Sequence, residues 1–549
     1  MPDSADMQFN LADLFEAIAD AVPERTAVVY GDRRMTYAEL DARANRAAHV
    51  LQERGVGRDV HVGLYLRSCP EYLESMLGAY KVRAAPININ DRYIAAEVDA
   101  VARDADAVGL VVDDARPASA AELRTDDRWV LTVGAGGDYD AALATVSAER
   151  DFEARSGDDH YILYTGGTTG RPKGVVWRHE DIFFTAIGGG NPGGEPLTDP
   201  AQLVPAVLAN PNQRIGVFLP PDDPGPGELV ALSLGPLGHA SGQWLALGTL
   251  LGAGTLVLYD APSFDVAHLL DLVARERVGM LTLVGDATAR PLLHTLRAEP
   301  DRWDTSSVRL VGSGGSILSG EVKDGLLAAM PSVAVVLEAI GSSESPSQAV
   351  SVTAPGGAPS RSLTFAPKAD TMIVDDALRP IQPGSGQVGR LATRGRAPLG
   401  YYKDPEASAR TFVEIDGERW TLPGDMATVD ADGTIRLLGR GSLCINTGGE
   451  KVYPEEVEAV LTEHDAVFDA LVVGAPDPRW GERVVAVVQP VDGASPTLAE
   501  LDAHCRQLLA GYKVPRALCL VDEIKRSTAG KPDYAWAKAQ VAAAGILDA

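Results

Sequence analysis

Residues 161–174 read YILYTGGTTGRPKG, and the fold and the chemistry of the whole chain are read outward from them. An apolar run, Tyr161 to Tyr164, is a strand candidate that enters a loop crowded with glycine and threonine. Gly166, Gly167 and Gly170 let the backbone turn its N–H groups toward an anion with no Cβ in the way. Thr165, Thr168 and Thr169 add hydroxyl donors, and Lys173 adds a positive charge. The chemistry suggested is a polyphosphate cradle. It is not a Walker A loop, which needs Ser or Thr after its lysine, whereas Gly174 follows Lys173.

Upstream, short strands alternate with helices. Thr36 and Glu39 form a T-x-x-E capping box that opens a helix through Leu40, Ala44, Ala47 and Leu51, with Gly55 at its end. Residues 60–66 and 108–114 are apolar strand candidates, and a helical pattern follows Pro70. Downstream, from 229 to about 400, LVALSLGPL, TLVLYD, MLTLVGD and VRLVGSGG repeat the strand signal. This alternation predicts an α/β fold, with a large N-terminal domain of βα-alternating subdomains and mostly parallel sheets. Residues 188–228 crowd glycine and proline, and read either as a lid or pocket wall or as a mobile surface insertion. After LLGRGS (437–442) the pattern changes to a small α+β unit: a PEEVEAVL helix, two strands, another helix and a final basic loop. The expected division is 1–439, a hinge at 440–442, and a mobile C-terminal domain at 443–549.

The 549 residues carry 49 basic and 76 acidic side chains, for a formal charge of −27. That balance argues against nucleic acid or an anionic membrane as the main partner, but not against a nucleotide, which local dipoles can bind. Cys69, Cys444, Cys505 and Cys519 are scattered, with no metal or disulfide spacing. The N-terminus is acidic and amphipathic rather than signal-like, and no apolar run is long enough to span a bilayer, so the cytoplasm is the expected compartment. Three other patterns are set aside. GGGNPG (188–193) lacks a preceding strand and places Pro192 at the helix start, Phe183 stands where an H-E-x-x-H motif needs its second histidine, and no G-x-S-x-G elbow occurs.

YTGGTTGRPKG resembles the phosphate-binding signature of the adenylate-forming superfamily of acyl-CoA synthetases, luciferases and peptide-synthetase adenylation domains, and further motifs follow in the same order. LGPLGHASG (234–242) is similar to the acyl-pocket segment, which implies pocket roles for His239, Gly242 and nearby Trp244. GSGGSILS (312–319) resembles the adenine-contacting stretch, carrying Gly314, Gly315 and Ser316. IGSSES (340–345) resembles the motif ending in a magnesium-binding glutamate, which implies nucleotide contacts at Gly341, Ser342 and Ser343 and a metal role for Glu344. The same resemblance implies ribose contacts at Asp425 and Arg440, a CoA-tunnel loop at Gly448, Gly449, Glu450 and Lys451, and a catalytic lysine at Lys531. Thr165, Lys173, Glu344 and Lys531 are then the catalytic set, with ATP, Mg²⁺ and coenzyme A as cofactors.

The reaction implied is attack of a carboxylate on the α-phosphorus of ATP, followed by transfer of the acyl group from AMP to CoA. Such chemistry needs charge neutralisation and alignment more than a protein nucleophile. Departures from the common pattern are Ile340 for an aromatic residue, Ser343 for threonine, and Ser442–Leu443 for a lysine–aspartate pair. WRHEDIF, GDATARPL, AGYKVPR and AGKPDYAWAK are similar to a subgroup of actinobacterial ligases acting on steroid side chains and other bulky acids, which adds Asp286 and Ile340 to the pocket. A bulky polycyclic acid is the favoured substrate and a medium- or long-chain fatty acid the runner-up. A half-reaction specialist and a non-catalytic acyl-adenylate or CoA sensor are the competing functions, and a homodimer is left open.

Overall fold

The computed structural model describes residues 7–113, 115–116, 118–165, 172–189, 195–210, 228–314, 318–357, 363–366, 368–447, 450–477, 481–527 and 530–546. The chain forms two compact units. The first holds residues up to 282 with 303–311 and 396–412, and the second holds 283–302, 312–395 and 413–549.

In the first unit, Thr26–Tyr30, Thr255–Leu258, Val230–Ser233 and Met280–Leu283 run parallel, with Val29 opposite Val257 and Met280 opposite Ala231; Arg33–Thr36 folds back antiparallel at the edge. A second sheet is parallel throughout, in the order Ala85–Asn88, His61–Tyr65, Ala107–Asp113, Trp129–Val133. Its strands are nearly continuous apolar runs because helices cover both faces. The predicted capping box is present: the Glu39 N–H donates to Thr36 Oγ1 at 3.2 Å, and the Thr36 N–H to Glu39 Oε2 at 2.8 Å. The helix it opens, Tyr37–Glu53, packs on Pro70–Lys81 through small residues. A Cβ on Gly78 would lie 2.9 Å from both Ala47 Cβ and the Ala48 nitrogen, so only glycine permits this helix spacing. Part of the 188–228 stretch is regular: Leu203–Ala209 is a helix whose Leu203 and Val207 are buried in this unit's core, while 190–194 and 211–227 lie outside the described residues.

The phosphate-loop stretch has a different topology from a strand–loop–helix unit. His160–Thr165 pairs antiparallel with Lys173–Arg178, and Thr165 stands directly opposite Lys173. Among the described residues, the element after this stretch is therefore the strand Lys173–Arg178 and not a helix.

The second unit contains the helices Gly285–Ala298 and Gly320–Ala329, an antiparallel pair Val335–Ile340 and Ala349–Thr353, and an antiparallel sheet that includes Gly389–Arg394, Asp425–Val429 and Ile435–Arg440. Its C-terminal part is α+β, as the composition predicts. Val467–Asp477 pairs antiparallel with Gly481–Pro490, which also pairs in parallel with Ala517–Leu520. The helices Pro454–Leu461 and Tyr534–Ala543 each lean on Val467–Asp477 and supply residues to the adjoining cores.

Candidate active site

Thr165 and Lys173 are half-buried at the end of their hairpin, and the intervening Gly166, Gly167, Thr168, Thr169 and Gly170 lie outside the described residues. The strand leading to Thr165 is fixed by buried polar side chains that the motifs did not reveal. Asn88 donates to the carbonyl of Tyr164 at 2.8 Å and to that of Gly238 at 2.7 Å, and accepts from the Tyr164 N–H at 2.7 Å. One amide thus ties the residue before Thr165 to the residue before His239. Tyr161 donates to Gln243 Oε1 at 2.6 Å, and Gln243 donates to the Tyr72 hydroxyl at 3.0 Å. This chain joins the same strand to the helix Ala240–Leu251, for which His239 is the N-cap residue. Gly242 is packed so closely that a Cβ would come 2.3 Å from the Pro236 carbonyl oxygen, and Trp244 packs against the core beside it.

Lys173 Nζ lies 2.9 Å from Asp404 and over the Tyr401 ring at 5.1 Å. The Asp404 carboxyl caps the helix Pro405–Thr411, and the N–H of Ala407, then Lys173, hold it below the usual carboxylate range.

In the second unit, Gly314 ends the strand Leu310–Gly314, and Gly315 and Ser316 lie outside the described residues. Asp286 is committed within the protein: it accepts from Arg290 Nε at 2.9 Å and from the Ser319 N–H at 2.8 Å. Arg290 also reaches Ser319 Oγ at 3.2 Å and the carbonyl of Thr462 at 2.9 Å. Ile340 is buried in an apolar cluster with Ala349, Phe365 and Ile373. Gly341 begins a tight turn, where a Cβ would meet the Pro346 carbonyl oxygen at 2.1 Å. That turn, closed by Ser342 N–H to the Ser345 carbonyl at 2.9 Å, carries buried Ser343 and half-buried Glu344.

Asp425 is buried at the start of its strand, opposite Arg440 in register; the side chain of Arg440 lies outside the described residues. Glu450 is exposed at the start of the strand Glu450–Val452, which pairs with Ile445–Thr447; Gly448, Gly449 and the Lys451 side chain are not described. Lys531 is exposed on a loop whose Ser527 N–H donates to the Lys531 carbonyl at 2.8 Å, while the Lys531 N–H donates to Ser527 Oγ at 3.1 Å. Beside it, Gly530 has φ +67° and lies so near Val284 that a Cβ would meet Val284 Cγ1 at 2.3 Å.

Among the described residues no cluster of three or more His, Cys, Asp or Glu could hold a metal ion unaided. Mg²⁺ keeps water and substrate phosphates as most of its ligands, so one carboxylate, which the motif implies to be Glu344, suffices for it.

The family described as AMP-binding enzyme matches residues 15–402, and its C-terminal domain matches 456–531. The chain belongs to the AMP-binding enzyme family. It is similar, at 44% identity over 97% of this chain and 96% of the relative, to the medium/long-chain-fatty-acid–CoA/3-oxocholest-4-en-26-oate–CoA ligase of Mycolicibacterium smegmatis. It is 43% identical to the 3-oxocholest-4-en-26-oate–CoA ligase of Rhodococcus rhodochrous, with 97% and 96% covered. Among solved structures, ATP-bound MatB of Rhodopseudomonas palustris aligns with a TM-score of 0.78 at 25% identity, covering 97% of this chain and 99% of that one. This AMP-binding enzyme is therefore an acyl-CoA ligase, with the adenylate-forming fold that its motifs imply. No helix among the described residues is long and apolar enough to cross a membrane.

Proposed function

We propose that this acyl-CoA ligase activates a bulky hydrophobic acid, of steroid or diterpenoid type, as its acyl-adenylate and transfers it to coenzyme A in the cytoplasm. The names of the relatives at 43–44% identity support both a steroid acid and, as the alternative, a medium- or long-chain fatty acid. The structural observation that carries the reaction is the Asn88 brace. It holds the phosphate-loop strand and the start of the acyl segment on one buried amide, so both sit in fixed register.

Each group then has a task that follows from its chemistry. Thr165 and Lys173 meet the phosphates. Asp425, already desolvated, accepts the ribose hydroxyls as charge-assisted hydrogen bonds. Lys531 approaches the bridging oxygens as a mobile point charge. Glu344 would hold Mg²⁺, which offsets charge developing on the departing pyrophosphate. A hinge at 440–442 would let the C-terminal domain, 443–549, present Lys531 for adenylation and then the 448–454 loop for attack by the CoA thiol.

ATP–pyrophosphate exchange with and without CoA, coupled to thioester detection across a panel of acids, tests this. Exchange and thioester formation with polycyclic acids at the lowest KM are expected. A preference for acetate or a polar amino acid would refute the substrate assignment, and thioester formed only from supplied acyl-adenylate would make the chain a half-reaction specialist.

A further inference from the structure

The loop that carries Lys531 is braced from behind by a side chain to which neither the motifs nor the relatives assign a role. Arg526 lies on the opposite side of this hairpin, joined across it by the bridge between Arg526 and Pro532. Its guanidinium makes a two-pronged pair with Asp469, Nε to Oδ2 at 2.8 Å and Nη2 to Oδ1 at 2.7 Å. The remaining terminal nitrogen, Nη1, donates to the carbonyl of Gly530 at 3.2 Å, one residue before Lys531. Asp469 sits on the strand Val467–Asp477, which pairs along its length with Gly481–Pro490 at the edge of the C-terminal sheet, and its carboxylate is further held by the Ala470 N–H at 2.8 Å. The fork is thus fixed on a rigid element and its free end grips the loop.

A second buried acid lies beside this fork. Glu458 accepts from the Val472 N–H at 2.8 Å and from the Tyr534 hydroxyl at 3.1 Å, fixing the start of the helix that follows the loop. The far side of the hairpin is fitted just as closely, since Gly530 needs its positive φ and has no room for a Cβ against Val284. Such restraint on both sides exceeds what an exposed surface loop needs, and it converges on the single residue whose ammonium the reaction uses.

We propose that Arg526, anchored by Asp469, is the positioning residue that presents Lys531 during adenylation. The inference rests on the reading of Lys531 as the adenylation lysine. A guanidinium can grip a carboxylate with two nitrogens and a carbonyl with the third at fixed angles, whereas a lysine ammonium carries its three donors on one nitrogen and cannot span both in that geometry. The brace is needed only while the loop faces the nucleotide. It is therefore expected to matter for one half-reaction and not the other.

The test compares Arg526→Lys, Asp469→Asn and Lys531→Ala in the full chain. Pyrophosphate exchange is measured alongside thioester formation from synthetic acyl-adenylate and CoA. Displacing a reacting group by about 1 Å costs on the order of 10²-fold, so both brace variants should lose roughly that factor in kcat for exchange, with the KM for ATP little changed. Thioester formation by the same samples should stay within about threefold, and that activity also shows that the C-terminal domain is folded. Exchange at the wild-type rate in both brace variants would overturn the proposal, and so would equal loss of both half-reactions when Lys531→Ala loses exchange alone. If Lys531→Ala itself slows both half-reactions equally, the reading of Lys531 fails first and takes the inference with it.

Discussion

Replacing Lys323 with methionine should destabilise the second unit far more than its surface chemistry suggests, and a compensating change at Glu338 should restore it. Lys323 and Glu338 are 1% and 3% exposed, on the helix Gly320–Ala329 and the strand Val335–Ile340, with Nζ and Oε2 2.6 Å apart. At that distance the attraction is about 6 kcal/mol with an effective dielectric constant near 20, and desolvation of the two ions offsets most of it. Burial already pushes the Glu338 carboxyl above its ordinary range, with Lys323 opposing the shift. Removing only the lysine leaves a buried carboxylate that must take a proton or remain unpaired, at a cost of about 3–5 kcal/mol. For a unit of this size that lowers the melting temperature on the order of 10 °C. Glu338 Oε1 also accepts the Leu318 N–H at 3.0 Å, within the segment proposed to meet the adenine. Glutamine at 338 keeps that acceptor without the charge, so Lys323→Met/Glu338→Gln should recover most of the loss and keep the KM for ATP near wild type. Scanning fluorimetry and exchange kinetics on both variants check this. A single variant within about 1 kcal/mol of wild type, or a double variant no better than the single, would refute the reasoning.

Asp425→Ala should raise the KM for ATP at least about tenfold, since hydrogen bonds to a charged group contribute ~1.5–3 kcal/mol each, while leaving the KM for the acid unchanged. Chelation of Mg²⁺ should stop pyrophosphate exchange but not thioester formation from supplied acyl-adenylate, and Glu344→Gln should raise the Mg²⁺ needed for half-maximal exchange. The Lys173–Asp404 pair is about a third exposed on each side, so it is worth no more than ~1 kcal/mol and a triphosphate should outcompete it. Lys173→Met should then raise the KM for ATP while Asp404→Asn leaves it unchanged or lower, and equal damage from both would make the lysine a mere anchor. Finally, burial holds His179 neutral, with its pKa lowered to about 4 against an unfolded value of 6.5, so the unfolded chain binds the extra proton first as pH falls. About 3 kcal/mol present above pH 6.5 should be lost between pH 6.5 and 4, and His179→Gln should flatten that acid limb of the melting curve.

What the sequence made legible is what has a local physical signature. The capping box at Thr36 and Glu39, the strands at 60–66 and 108–114, and the βα order all follow from neighbours a few residues apart, and each is present. The glycine-dense loop led to the proposal of a phosphate site because such composition has few other uses. What it did not announce is how the strand leading to Thr165 is held. Asn88 sits in a strand whose neighbours are apolar, and its partners Tyr164 and Gly238 are 76 and 150 residues away, so no window of sequence contains the interaction. The only trace was the polar residue itself, an asparagine within APININ where a core strand would otherwise be apolar. Gln243, bridging Tyr161 and Tyr72, was invisible for the same reason. Asp286 shows both sides. Its motif was legible and points to the acyl pocket, while the bonds its carboxylate accepts from Arg290 and the Ser319 N–H were not.

These two kinds of residue answer a difficulty raised by the chain's own charge. At −27, the protein repels a polyanion at long range, so nothing in its overall field recruits ATP. Binding must come from short-range donors whose orientation is settled before the ligand arrives, because a donor that must first be ordered gives part of its interaction energy back as entropy. That requirement places a premium on uncharged, buried braces. An amide such as Asn88 fixes two backbone segments without adding to the field, Lys173 is paired with Asp404, and the carbonyl just before Lys531 is gripped by Arg526. A brace of this kind leaves no charge pattern to read and binds no ligand itself. Its loss should therefore appear in kcat or in the nucleotide KM without any substrate contact having been removed, which is the signature that separates it from the residues the motifs name.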